Sequence, residues 1–327
     1  MINILVTGVG SLIGQGIIKS INASKIEHRI IGADYFKHAV GLYWVDKGYL
    51  LPDILLPEVQ EEDWLREVMN IIAAEKIDIL LIGLDFEVEI FSRHRQRIEK
   101  ETDCKVIVGE PDRVGICKDK WNTVNFLKEN GFPYAESCLP KDRGEFLKEH
   151  KFPFVVKPRF GFRSTNLFVV NSLEELEYAL GKCPQPIIQE FVGDEGNEYT
   201  CGSLFVDNEV ASVISLKRTL KDGNTYRAFS ADYPEVDRFV SEVSQRLRSF
   251  GPANYQLRIT AKGPVIFEIN PRFSGTTPIR ALFGVNEVEI LIRKVLLQEP
   301  IGAIGKKHGV VLRYFEDQFV PWVDYEG

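Results

Sequence analysis

Residues 254–272, Asn254-Tyr-Gln-Leu-Arg-Ile-Thr-Ala-Lys-Gly-Pro-Val-Ile-Phe-Glu-Ile-Asn-Pro-Arg272, restrict the fold more than any other stretch of the chain. They read as two strands, 254–260 and 264–270, joined by a three-residue turn in which Gly263 supplies the left-handed position. A symmetric turn sets Gln256 opposite Glu268 and Asn254 opposite Asn270, all four on one face. The other face carries Tyr255, Leu257, Ile259, Val265, Phe267 and Ile269, an apolar row that needs a core behind it. The oxygen-bearing face is either a solvated sheet surface or one wall of a cleft. A carboxylate between two amides, with Arg272 just beyond, suits a hard cation and phosphate oxygens.

The rest of the chain supplies enough core for two or three domains. It has 327 residues, 44% of them apolar. A net charge of −7 argues against broad binding to nucleic acid or to anionic membranes. Five scattered cysteines (Cys104, Cys117, Cys138, Cys183, Cys201) form no metal-type pair and fit reduced thiols in a cytoplasmic protein. The chain opens on a strand-like run with no basic leader, and no segment reaches eighteen uninterrupted apolar residues; neither a signal peptide nor a membrane span is expected.

Residues 1–110 alternate strand and helix. Apolar runs at Ile2–Thr7, Arg29–Ala33, Ile54–Leu56, Ile77–Leu84 and Lys105–Val108 are separated by helical patterns at 11–22, 61–75 and 86–100. Such alternation predicts a parallel sheet covered by helices. A boundary is expected at Gly109–Asp112. Beyond it the pattern is mixed α+β: a helix over Lys120–Glu129, another near 142–150, and strands at 153–157 and 167–170. A helix at 172–181, a strand at 187–192 and a hairpin at 198–206 and 209–219 follow. A helix from Pro234 to about Phe250, the opening hairpin, helices near 277–283 and 286–298, and a last strand at 309–316 complete the reading.

Four further features carry chemistry. Val6-Thr-Gly-Val-Gly-Ser-Leu-Ile-Gly14 follows a strand and opens a helix, with Asp34 at the end of the next strand, where a ribose-binding acid would sit. The third glycine of a dinucleotide fingerprint is displaced by one, so a tight turn without nucleotide competes with NAD(P) binding. Lys157, at the end of the apolar strand before Pro158, suits phosphate binding as a point charge. The loop 159–166 carries Arg159 and Arg163 and could close over polyphosphate; a plain surface hairpin is the alternative. The strand ending Gln189-Glu-Phe-Val-Gly193 has backbone groups that could pair with an adenine edge, and Glu195 and Glu198 follow where a carboxylate could hold ribose hydroxyls.

Taken in order, Lys120, Val155-Val-Lys157-Pro, Gln189-Glu-Phe-Val-Gly193, Glu198-Tyr-Thr, Asn254-x-Gln256 and Phe267-Glu-Ile-Asn-Pro-Arg272 resemble the ATP-grasp superfamily, and within it carbamoyl-phosphate-synthase-like and amino-acid-ligase-like members. The resemblance covers roughly 113–300. It implies a Rossmann-like pre-ATP-grasp domain over 1–112, a small lid lobe over 113–190 and a C-terminal lobe with the metal site over 191–327. It implies that Lys120 and Lys157 contact ATP phosphates, that Glu190, Phe191 and Val192 line the adenine pocket, and that Glu198 holds the ribose. Glu268 would bridge two Mg²⁺ ions (or Mn²⁺), with Gln256 and Asn270 completing one each, and Arg272 would hold the transferred phosphoryl group. The loop after Lys157 departs from the family, with Phe162, Arg163 and Thr165 where glycines are usual.

The activity implied is an ATP- and Mg-dependent carboxylate–amine ligase that forms a C–N bond through an acyl phosphate and releases ADP and phosphate. Its partners would be a small carboxylate and an amine, and the architecture allows a homodimer. Arg280 is the expected contact for the substrate carboxylate, with Arg218 and Lys217 behind it. A small-molecule kinase, and an NAD(P)-dependent oxidoreductase using the N-terminal glycine loop, stay open as alternatives.

Overall fold

The computed structural model describes residues 1–161, 166–261 and 263–322, with Glu195 in its backbone only. Three sheets follow one another along the chain. The first is parallel: β1 (Ile2–Thr7), β2 (His28–Asp34), β3 (Lys47–Leu50), β4 (Ile79–Leu81) and β5 (Lys105–Val106), in the order β3-β2-β1-β4-β5. Its covering helices are α1 (Leu12–Asn22), α2 (Glu61–Glu75) and α3 (Glu87–Thr102). In α2, Trp64, Leu65, Val68, Ile71 and Ile72 form one buried stripe at helical spacing, while Glu61, Glu62 and Asp63 face the positive end of the helix dipole. The strand expected at Ile54–Leu56 is not formed. The edge strand is β3 instead, and Leu55 and Leu56 remain 59% and 45% exposed.

Helix α4 (Pro111–Lys118) occupies the expected boundary, started by Pro111 in its first turn, and α5 (Lys120–Glu129) follows after Asp119, whose side chain caps it. The second sheet is antiparallel: β6 (Ser137–Cys138), β7 (Phe154–Pro158), β8 (Phe168–Val170) and β9 (Pro186–Glu190), in the order β6-β9-β7-β8. Helices α6 (Arg143–Glu149) and α7 (Leu173–Lys182) pack on it through Phe146, Leu176 and Ala179.

The third sheet is also antiparallel: β10 (Glu198–Val206), β11 (Glu209–Lys221), β12 (Asn224–Ser230), β13 (Gly251–Thr260), β14 (Gly263–Asn270) and β15 (Gly309–Leu312), in the order β14-β13-β10-β11-β12-β15. Helix α8 (Pro234–Leu247) buries Val236, Phe239, Val240, Val243 and Leu247 against it, on the side of Tyr255, Leu257 and Ile269. Helices α9 (Thr277–Leu282) and α10 (Glu287–Val295) return the chain to the first sheet. There Val288, Leu291, Ile292, Leu204 and Phe273 share one core with Ile4, Val6, Ile17 and Ile21.

The β13–β14 register places Gln256 opposite Glu268 and Asn254 opposite Asn270. Gly263 has φ of +96°, a left-handed turn position. A bulge follows Gln256, so Leu257 pairs with Ile266 and Phe267 becomes the extra residue. The expected apolar row is corrected accordingly. Ile266 enters the core with Tyr255, Leu257 and Ile269, while Val265 and Phe267 turn to the opposite side beside Val192.

Candidate active site

The faces of the three sheets meet at a cavity of about 480 Å³. Lys120, Lys157, Glu190, Phe191, Val192, Glu198, Gln256, Glu268, Asn270 and Arg272 all line it, contributed by α5, β7, the end of β9 and the paired strands β10, β13 and β14. Residues 162–165 of the expected phosphate loop, Arg163 among them, lie outside the described residues.

Glu268 stands at the centre of a ring of positive charge. Burial alone would raise its carboxyl; Lys120, Lys157 and Arg272, together with a hydrogen bond from Asn270, outweigh burial and hold it below the ordinary carboxylate range. Lys157 shows the converse effect. Burial pulls its ammonium down to about 7 although Glu268 opposes the shift, and Lys120 and Arg258 push the same way as burial. Its Nζ donates to the Phe267 carbonyl, 3.1 Å away, and lies 5.6 Å from the ring centroid of Phe267. The bulge thus delivers both a carbonyl and a ring to the cleft. Lys120 is also buried, and its Nζ donates to the Gly161 carbonyl at 3.0 Å.

Glu198 differs from its expected role. Oε1 accepts from Nε and Nη2 of Arg218 (2.9 and 2.6 Å), and Oε2 accepts from Nε and Nη2 of Arg258 (3.0 and 2.9 Å). A carboxylate has about four acceptor sites. In this arrangement all are filled by guanidinium groups, and none is presented to a ribose. Arg218 also donates to Gln256 Oε1 at 2.8 Å, so the same arginine holds that amide in place. Arg258 donates to the Val192 carbonyl and lies 4.8 Å from the Phe191 ring, fixing the segment that follows β9. Among the described residues no backbone hydrogen bond uses the Val192 N–H.

Arg280 is a correction. It is 1% exposed, does not line the cavity, pairs with the fully buried Glu287 at 2.9 Å, and donates to Asn254 Oδ1. Thr200 donates to the same oxygen at 2.9 Å. Arg280 therefore braces the wall from behind and has no face toward a substrate. Lys217 points elsewhere too, toward Asn197 at 3.4 Å.

The glycine loop is explained by packing. A Cβ on Gly14 would lie 2.2 Å from the Gly8 carbonyl oxygen. Asp34 accepts from the Gly10 N–H through Oδ2 (2.8 Å) and from the Phe36 N–H through Oδ1 (2.9 Å), so both oxygens hold the loop. The cavity also takes in residues that sequence reasoning did not assign to it. Asp85, after β4, receives Nε and Nη2 of Arg272 at 2.7 and 2.6 Å. Phe267, Arg258 and Arg313 line the cavity as well.

A parallel α/β unit followed by two antiparallel sheets that enclose a cleft walled by lysines and amides defines a nucleotide-grasping architecture. Residues 117–276, just under half of the chain, match the family model of the ATP-grasp domain. Carbamoyl-phosphate synthase of Methanobrevibacter smithii is 24% identical over 262 residues, spanning 76% of this chain and 70% of that protein. D-alanine–D-alanine ligase of Corynebacterium efficiens is 29% identical over 216 residues, spanning 56% of this chain and 59% of that protein. In fold, the chain resembles the biotin carboxylase domain of Hydrogenobacter thermophilus 2-oxoglutarate carboxylase, a dimer in complex with MgADP, ADP and bicarbonate. That match has a TM-score of 0.72 and 14% identity, and covers 94% of this chain and 73% of that one. Among the described residues no helix is long and apolar enough to cross a membrane.

Proposed function

We propose that the chain is an ATP- and Mg²⁺-dependent carboxylate–amine ligase that releases ADP and phosphate. One observation carries this reading: Glu268, held ionised, stands between Gln256 and Asn270 on the cleft wall that faces Lys120, Lys157 and Arg272.

The donor set fits magnesium. The described residues contain no group of three or more His, Cys, Asp or Glu able to cage a metal unaided. A single carboxylate with two amide oxygens suits an ion that takes its remaining ligands from water and phosphate. Bound there, the ion would neutralise phosphate charge. Lys120 and Lys157 would hold phosphate oxygens, and Arg272 would stabilise the group in transfer. Val192 N–H and the Glu190 segment would meet the base, with the Phe267 ring along its face.

Phosphoryl transfer asks the protein mainly for alignment and charge neutralisation. In the proposed reaction a substrate carboxylate oxygen bonds to the γ-phosphorus as the β–γ bridge breaks, giving ADP and an acyl phosphate. An amine then attacks the acyl carbon, expels phosphate and loses a proton.

Glu268→Gln keeps the volume and removes the charge. It is expected to lower ATP-dependent phosphate release by at least ~10²-fold, with circular dichroism unchanged. Phosphate release at the wild-type rate from that variant overturns the assignment. ADP formation without an amide product, seen by mass spectrometry, overturns the ligase step in favour of a kinase.

A further inference from the structure

The cavity also has walls supplied by the first sheet and the segments that follow its strands, among them Leu12, Tyr35, Leu55 and Phe86. Arg313, just past β15, reaches it. Its backbone N–H donates to the Tyr226 carbonyl at 3.1 Å, and its Nη2 donates to the Gly275 carbonyl. The other arginines lining the cavity are neutralised: Arg218 and Arg258 by Glu198, Arg272 by Asp85. Among the described residues Arg313 has no ion-pair partner. Burial pulls its pKa down with no carboxylate to hold it up.

An apolar side chain stands beside this cation. A Cβ on Gly275 would lie 3.5 Å from Leu12 Cβ and 3.6 Å from Arg313 Nη2, so Leu12 and Arg313 flank one point. Leu12, Tyr35 and Leu55 line the same cavity yet are 39%, 42% and 59% exposed, large apolar groups left uncovered at its mouth. Tyr35 meets Phe86 edge-on, with ring centroids 6.1 Å apart, which fixes that wall. A single unneutralised guanidinium beside uncovered apolar side chains matches a ligand with one negative charge and an apolar arm. A second carboxylate on that ligand would lie against Leu12 or Tyr35 without a partner, at the cost of its desolvation.

We propose that Arg313 binds the carboxylate of a substrate whose arm is apolar and lies against Leu12, Tyr35 and Phe86. The proposal rests on the ligase reading and names the class of one substrate: a monocarboxylate with an aliphatic or aromatic arm.

Calorimetry on the full chain loaded with Mg²⁺ and the non-hydrolysable analogue AMPPNP tests it. The probes are 4-methylvalerate and 3-phenylpropionate, with acetate and succinate as contrasts. Both arm-bearing acids are expected to bind more tightly than either contrast. Arg313→Gln, which can still donate to the Gly275 carbonyl, is expected to weaken them by about 10- to 100-fold while Mg–AMPPNP affinity is unchanged. Leu12→Ser is expected to weaken the arm-bearing acids by about tenfold and acetate hardly at all. Equal affinity for succinate and 4-methylvalerate overturns the proposal. So does wild-type acid binding by Arg313→Gln, or failure of every acid to bind a protein that does bind Mg–AMPPNP. Failure of Mg–AMPPNP itself to bind overturns the ligase reading, and the proposal falls with it.

Discussion

Replacing Arg280 by methionine probes the place where sequence and structure part. Arg280 and Glu287 are 1% and 0% exposed, with Nη1 and Oε2 2.9 Å apart. Two unit charges at that distance attract by about 6 kcal/mol at an effective dielectric of about 20. Desolvation of both ions offsets most of this gain, so the pair as a unit contributes little. Removing one member is different. Glu287 is fully buried and packed against the backbone, since a Cβ on Gly202 would lie 2.0 Å from its Oε1. Arg280→Met is therefore expected to cost about 3–5 kcal/mol. The double variant Arg280→Met/Glu287→Met removes both charges and is expected to recover most of that loss. Urea denaturation followed by circular dichroism measures each, and the cycle with Glu287→Met isolates the coupling. A single variant within about 1 kcal/mol of wild type, or a double variant no more stable than the single one, refutes the argument.

Lys157 gives a pH signature. Its folded value of about 7 lies below the ordinary 10.5, so between those limits the unfolded chain holds the extra proton and stability rises with pH; Lys157→Met is expected to flatten that part of a stability–pH profile. An anionic phosphate beside Nζ favours the ammonium form, so Mg–AMPPNP binding at pH 8 should take up close to one proton; calorimetry in two buffers of different ionisation enthalpy measures this, and no uptake refutes phosphate contact. Phe267→Ala is expected to weaken Mg–AMPPNP by about 1–3 kcal/mol, the range for losing an aromatic platform under a base; unchanged affinity in calorimetry removes the ring from the base site. Gly14→Ala drives a Cβ to 2.2 Å from the Gly8 carbonyl and is expected to cost more than about 2 kcal/mol; an unchanged melting temperature shows that the loop yields.

Gln256–Glu268 and Asn254–Asn270 pair as the sequence reading expects, but by another route: next to the turn Thr260 pairs with Gly263 and Leu257 with Ile266, and the extra residue Phe267 restores the expected register. That bulge was not readable, since either Val265 and Phe267 or Ile266 can fill an apolar face. Asp222-Gly223, both at positive φ, is a strong hairpin signal that marks β12, and the sequence reading passed over it. The helix that Pro111 begins was not read from the sequence, which marked Gly109–Asp112 only as a boundary. Ile54–Leu56 read as a buried strand; it is apolar without being core, and Leu55 lines the cavity. Arg280 looked like a substrate contact from its closeness to Ser274–Pro278, but packing across α9 and α10 decides where it points. Nothing in the sequence around Arg313 distinguishes it, because its neighbours Leu12 and Tyr35 lie some three hundred residues away along the chain.

The shared core of the first and third sheets bears on modularity. The segment that matches the ATP-grasp model ends at residue 276, yet Leu204 and Phe273 within it are covered by Ile4, Val6 and Ile17 from before it and by Val288 and Leu291 from after it. Grafted alone onto a foreign carrier, that segment would display a bare greasy flank and lose the Asp85 anchor of Arg272. Swapping specificity between relatives thus calls for exchanging the opening hundred residues and the closing fifty together with it.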